Sequence, residues 1–169
     1  MDQSEDEVAR IVAAWRRERP DLDVRPLEVL SRVSRLARHL DIARRKAFAA
    51  SELESWEFDV LSALRRQGAP YQLSPGKLLK ETLVTSGTMT NRIDRLVKKG
   101  LVERLPLPGD RRGVLVRLRT AGQQRVDAAL SDLLAREEEI LAALGDESQG
   151  ELAELLRQVL VPFDAEPGA

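Results

Sequence analysis

The chain reads as a mainly α-helical protein with one small β-hairpin, and three observations carry that reading. Leu, Ala, Arg and Glu are abundant while aromatic residues make up 4% of the 169 positions, a balance that favours helices over sheet. Along most of the chain apolar residues recur at spacings of three and four, the period of an amphipathic helix. Between Leu101 and Leu118 that period gives way to two short runs, Leu101 to Leu105 and Val114 to Leu118, flanking Pro106 to Gly113. This predicts strand, loop and returning strand.

Taken in order, Glu5 to Arg19 places Val8, Ile11, Val12 and Trp15 on one stripe, and Pro20 terminates it. Asp21 to Pro26 is a short linker. Pro26 to Ala50 is a long helix with Val29, Val33, Leu36, Leu40, Ala43 and Ala47 along one face. Its cations, Arg32, Arg35, Arg38, Arg44, Arg45 and Lys46, read as a solvated face, and His39 as a helix-surface residue. Ser51-Glu52-Leu53-Glu54 has the form of a capping box, which predicts a helix from there through Trp56, Phe58, Val60, Leu61 and Leu64 to Gln67, closed by Gly68. Trp56, Phe58 and Tyr71 read as packing residues. Ser74 and Pro75 supply a cap and first residue for a short helix to about Glu81, with Leu78 and Leu79 inward. Thr82 to Thr85 is then a tight turn.

The next helix, from Thr85 to Gly100, has Met89, Ile93, Leu96 and Val97 at helical spacing, so that face is expected to be buried. Thr88, Thr90, Asn91 and Arg95 point away from it. Lys98 and Lys99 occupy the last turn, where cations suit the negative end of the helix dipole, and Gly100 stops it. A short helix, a tight turn and a longer helix with a hydrogen-bonding outer face is the helix-turn-helix pattern. The hairpin that follows extends it as a basic wing tipped by Arg111 and Arg112. Thr120-Ala121-Gly122-Gln123 opens a long helix with Val126, Leu130, Leu133, Leu134, Leu141 and Leu144 on its stripe. Gly145 breaks it, and Leu152, Leu155, Leu156, Val159, Leu160 and Phe163 mark a final amphipathic helix. The organisation expected is N-terminal helices over 1–50, a winged helix-turn-helix lobe over 51–119, C-terminal helices over 120–163 and a tail over 164–169. Three amphipathic helices at the two ends need a cover for their apolar faces, and a second copy of the chain supplies it: a homodimer is expected.

Composition removes several classes of function. There is no cysteine, hence no disulfide, thiolate nucleophile or thiol-based zinc site. One histidine, His39, builds no metal site, and no phosphate-loop or dinucleotide fingerprint occurs, so no enzyme activity and no cofactor are expected. No apolar run approaches the ~20 residues of a membrane span, and Met1 to Glu7 is acidic, unlike a signal peptide; a cytoplasmic protein is expected. The formal net charge of -1 conceals segregation. From Ser74 to Gly113 nine cations, Lys77, Lys80, Arg92, Arg95, Lys98, Lys99, Arg104, Arg111 and Arg112, face four acids. From Arg136 to Glu154 one cation faces seven acids. One lobe is thus prepared for nucleic acid and the other is turned from it.

The runs Leu73-Ser74-Pro75, Ser86 to Leu96, Lys99-Gly100-Leu101-Val102 and Asp110 to Leu118 resemble the MarR family of winged-helix bacterial transcription regulators, over most of Ser51 to Gly122. Arg119 stands where that family usually has a helix-capping threonine, with Thr120 in the usual proline position, which leaves the following helix start open by a residue or so. A narrower resemblance ties Trp15, Asp59, Arg92 and Arg104 to the ligand-linked positions of the urate-responsive subgroup. It implies that the tryptophan and arginines help hold a planar anion near the dimer interface, and that displacing the aspartate moves the recognition helix. Two forked guanidiniums, a stacking indole and a carboxylate repelled by arriving charge are consistent with that chemistry. The same residues also suit a structural cluster, Arg92 and Arg104 on Asp59, with Trp15 at a core or interface.

The expected function is a ligand-responsive, sequence-specific DNA-binding repressor acting as a homodimer on pseudo-palindromic operators, half-sites about 34 Å apart. Ser86, Thr88, Thr90, Asn91 and Arg95 would meet base edges or phosphates in the major groove, and Arg111 and Arg112 the backbone, with Asp110 orienting Arg112. The ligand class is a small anion: urate, another purine, or a carboxylate. The rival expectation is a winged-helix protein-interaction module without small-molecule sensing. Retention on promoter DNA against excess random DNA separates the two.

Overall fold

The computed structural model describes residues 5–82 and 85–164, apart from the side chains at 110–112 and 164. Helix α1 (Glu7–Glu18) begins where the Asp6 carboxylate accepts from the Ala9 amide at 2.8 Å, an N-cap. It lies on α2 (Arg25–Ala50), burying Val8 and Val12 with Val24 in a small cluster of their own. Ion pairs from Asp6 to Arg32 at 2.8 Å and Glu7 to Arg35 at 2.6 Å fix the two helices side by side.

The end of α2 corrects the expected capping box. Glu52 sits at φ 55, and the Glu52 and Leu53 amides donate back to the Ala49 and Phe48 carbonyls at 3.0 and 2.9 Å. Ser51 to Leu53 therefore closes α2, a left-handed helix end that satisfies its last carbonyls. Helix α3 starts later, at Ser55–Arg66, where a Glu57 carboxylate oxygen accepts from the Glu54 amide at 3.0 Å. Its buried side carries Phe58, Val60, Leu61, Ala63 and Leu64, with Phe58 stacked on Phe48 of α2 at 4.1 Å between ring centroids.

After α3 comes a strand too short to read in the sequence, β1 (Gln72–Leu73), then α4 (Pro75–Thr82) with Leu78 buried and Leu79 partly so. The expected turn from Thr82 to Thr85 includes residues 83 and 84, outside the described residues. Helix α5 (Ser86–Lys98) buries Met89, Ile93 and Leu96 as its spacing predicts, but Val97 faces outward. Met89, Ile93 and Leu96 fill the side that faces α4 and β2, and Val97 sits at the edge of that stripe. Gly100, at φ 70, turns the chain into β2 (Val102–Leu107), which pairs antiparallel with β3 (Asp110–Leu118). The expected loop from Pro106 to Gly113 is thus mostly strand, with Gly109 at φ 82 in the turn and a register shift at Pro106 and Leu107. Sheet order is β1-β3-β2.

Helix α6 (Thr120–Leu141) starts at Thr120, with Arg119 in cap position. A side chain at Gly122 would put its Cβ 2.2 Å from the Leu101 carbonyl oxygen, so glycine is what lets α6 cross the foot of the wing. Val126, Ala129 and Leu133 join the main core, while Leu130 and Leu134 stay exposed. Helix α7 (Asp146–Asp164) buries no described residue, and Leu155, Val159, Leu160, Val161 and Phe163 lie open. Val29, Leu30 and Val33 on α2 and Ile11 on α1 are open as well. No helix among the described residues is long and apolar enough to cross a membrane.

Candidate nucleic-acid interface

Helix α5 divides into two faces. With Met89, Ile93 and Leu96 locked into the core, Ser86, Thr88, Thr90 and Asn91 are left exposed. The hydroxyls are already ordered locally. Thr88 and Thr85 share a hydrogen bond at 2.9 Å, and Thr90 donates to the Ser86 carbonyl at 3.2 Å.

One flank of α5 is not free. Arg92, Arg95 and Lys99 follow one another at spacings of three and four, so they share a stripe, and that stripe lies against the first turn of α3. Arg95 donates to Glu54 and stacks on Trp56 with its guanidinium carbon 4.6 Å from the ring centroid. Arg92 stands over the same indole at 5.5 Å. Trp56 Nε1 donates to the other Glu54 carboxylate oxygen at 2.7 Å. The Glu54 carboxyl is held below the usual carboxylate range, first by that indole N–H and then by Arg95. Lys99 Nζ lies 2.7 and 2.8 Å from the two oxygens of Glu57, whose side chain is fully buried. Trp56 is thus a cation platform as well as a packing residue, and Arg95, expected to point freely away, is tethered while remaining about half exposed.

Among the described residues no ion pair, hydrogen bond or ring contact joins one of the four ligand-linked positions to another. Asp59 pairs with Arg44 at 3.6 Å, Arg104 donates to Asp94, Arg92 lies on Trp56, and Trp15 on α1 is 48% exposed. The structural cluster of Arg92 and Arg104 on Asp59 is absent too. Arg104 instead braces the wing against α5, and across the hairpin Arg117 pairs with Glu103 at 2.7 Å. The wing-tip residues Asp110, Arg111 and Arg112 have backbones in β3, but their side chains lie outside the described residues. Sequence reasoning missed Glu54, Glu57 and Arg44 as partners. The acid spacing at the α3 start is the available signal for the first two; from sequence Glu54 reads as a capping residue and Glu57 takes no role.

A profile described as the MarR family matches residues 51–113. The chain is 39% identical over 153 residues, 90% of its length and 92% of the relative's, to the HTH-type transcriptional regulator PecS of Dickeya dadantii (strain 3937). It is 35% identical over 114 residues, 64% of its length and 70% of the relative's, to the HTH-type transcriptional repressor NicR of Pseudomonas putida. Among solved structures, a MarR mutant from E. coli complexed with operator DNA aligns at TM-score 0.66 and 30% identity, covering 82% of this chain and 99% of that one.

Proposed function

Because this chain belongs to the MarR family of DNA-binding transcription regulators, we propose that it is a sequence-specific repressor working as a homodimer on pseudo-palindromic operators, relieved by a small anionic ligand such as urate. The observation that carries the DNA reading is the two-faced α5, with Met89, Ile93 and Leu96 buried and Ser86, Thr88, Thr90 and Asn91 turned out. Hydroxyl and amide groups along one exposed helix side suit base edges in a major groove. Arg95 joins them from the flank, and Arg111 and Arg112 are assigned to the backbone. The open apolar residues of α1, α2 and α7 form the surface assigned to the second copy, and a two-fold dimer would present two recognition helices to one face of DNA.

The ligand reading rests on the resemblance of Trp15, Asp59, Arg92 and Arg104 to the urate-responsive positions. It is supported by the exchangeable state of their partners. Asp59 and Arg104 are held by part-exposed pairs, which cost little to break, and Trp15 presents an open indole beside the surface assigned to the dimer. An anion gathering these cations would draw Arg92 from Trp56 and so act directly on α5.

The test is a titration of urate into the protein bound to its own upstream DNA, repeated with Arg92→Ala. Release from the wild type and weakened release from the variant are expected. Urate fails as the ligand if the wild type stays bound, and Arg92 fails as the sensor if both are released alike.

A further inference from the structure

Resting on the reading of Arg95 as a base-contacting residue, we propose that Glu54 and Trp56 are positioning residues that pre-set Arg95 for base reading, and so govern discrimination between operator and random DNA. Neither residue needs to touch DNA to do this. The indole takes the flat face of the guanidinium and Glu54 takes one Nη2 hydrogen. That division leaves the remaining donor edge at a side chain still about half exposed. A planar fork with its face stacked and one corner pinned is the form in which an arginine meets the paired acceptors of guanine. An untethered arginine gives up its rotamer freedom on binding; a tethered one has already lost it on folding.

Two further contacts make the site a cradle rather than a chance pairing. Trp56 is fixed to the same carboxylate by its Nε1 donor at 2.7 Å, so Glu54 orients both the platform and the arginine on it. One turn along, the buried Glu57 holds Lys99 at 2.7 Å, which fixes the end of α5 against the start of α3. The platform therefore cannot slide relative to the helix that bears Arg95.

Simple electrostatics predicts the opposite sign, which is what makes the proposal testable. A carboxylate beside DNA repels phosphate, and a carboxylate that merely competed for Arg95 would act as a brake. On either view its removal tightens binding to operator and random DNA together. Positioning predicts that Glu54→Gln loosens operator binding relative to random DNA despite the gained positive charge.

The experiment measures affinity of the full chain for a duplex it selects from a random-sequence library and for unselected duplex, and scans single base-pair changes in each half-site. Arg95→Ala, Glu54→Gln, Trp56→Ala and the Glu54→Gln/Arg95→Ala pair are compared with wild type. Arg95→Ala is expected to lower the operator-to-random ratio about tenfold, at one base pair per half-site. Glu54→Gln and Trp56→Ala should lower it at that same base pair, with random binding unchanged or tighter, and the double variant should be no worse than Arg95→Ala alone. The proposal is overturned if Glu54→Gln tightens both duplexes equally, or lowers the ratio as much without Arg95 as with it. It also falls if Arg95→Ala leaves the ratio intact, an outcome that removes the base-reading role of Arg95 itself. Trp56→Ala, judged on the same ratio, carries the test should Glu54→Gln unfold.

Discussion

The lobe from α3 to the wing and the helices at the two ends solve burial in opposite ways. The lobe is closed within one chain: Leu61, Leu64, Leu78, Met89, Ile93, Leu96 and Leu101 are almost completely enclosed, with Phe48 from the end of α2 and Val126, Ala129 and Leu133 from α6 completing the core. Inside the lobe Glu54 and Glu57 answer Arg95 and Lys99, and Arg44–Asp59 and Arg65–Asp127 tie it to α2 and α6. At the ends, α7 encloses nothing and most of α2 turns its valines outward. One chain can thus complete its central lobe, borrowing the near ends of α2 and α6, while leaving the outer frame open, and an amphipathic helix without a cover is a request for a partner.

The largest effect expected from breaking this contrast is at α7. Leu160→Glu should convert dimer to monomer in sedimentation and lower operator affinity by roughly 100-fold, since two half-sites would no longer be engaged together, while the lobe keeps its thermal transition. Retained dimer would move the interface elsewhere. Comparable in size is the lobe's own lock. Lys99→Ala leaves the enclosed Glu57 carboxylate without its cation and should cost about 3 kcal/mol in urea unfolding, the low end for a broken buried pair because Lys99 is part-exposed. Removing the charge as well, with Glu57→Gln, should recover much of that loss.

The smallest effect concerns the join of α1 to α2. Asp6 is held below the usual carboxylate range by its hydrogen bond to Arg32, and Glu7 by its hydrogen bond to Arg35. A lowered folded pKa contributes stability that is complete above the unfolded value and is lost as pH falls through the folded one. Acidification below about pH 4 should therefore loosen α1 before the lobe. Asp23, held down to about 2 chiefly by Arg25, should titrate last. With Trp56→Phe leaving Trp15 as the one indole, Trp15 fluorescence should change before the far-ultraviolet helix signal; simultaneous change would show that the ends and the lobe are one unit.

What could be read in advance follows the range of the interactions. Local rules located α2, α4, α5 and α6, because spacing, Pro75 and Gly100 act within a turn or two. They failed where two local signals compete: Ser51-x-x-Glu54 looks like a helix start, yet the chain spends those residues ending α2. Strand β1 has only Gln72 and Leu73 and gains its identity from pairing with Val116 and Arg117. The site's tethers were invisible for a plainer reason. Arg95 and Glu54 are 41 positions apart, and Lys99 and Glu57 are 42, so no window of helical periodicity contains both partners.

Helix α7 carries a consequence for dosage. Its Leu155, Val159, Leu160, Val161 and Phe163 find no cover among the described residues, so under the proposed dimer the folded frame is completed only as copies meet, and its population depends on how many there are. At low copy number the DNA-competent species would rise with the square of the chain's abundance. Small changes in synthesis or degradation would then be sharpened into larger changes in occupancy before any ligand arrives.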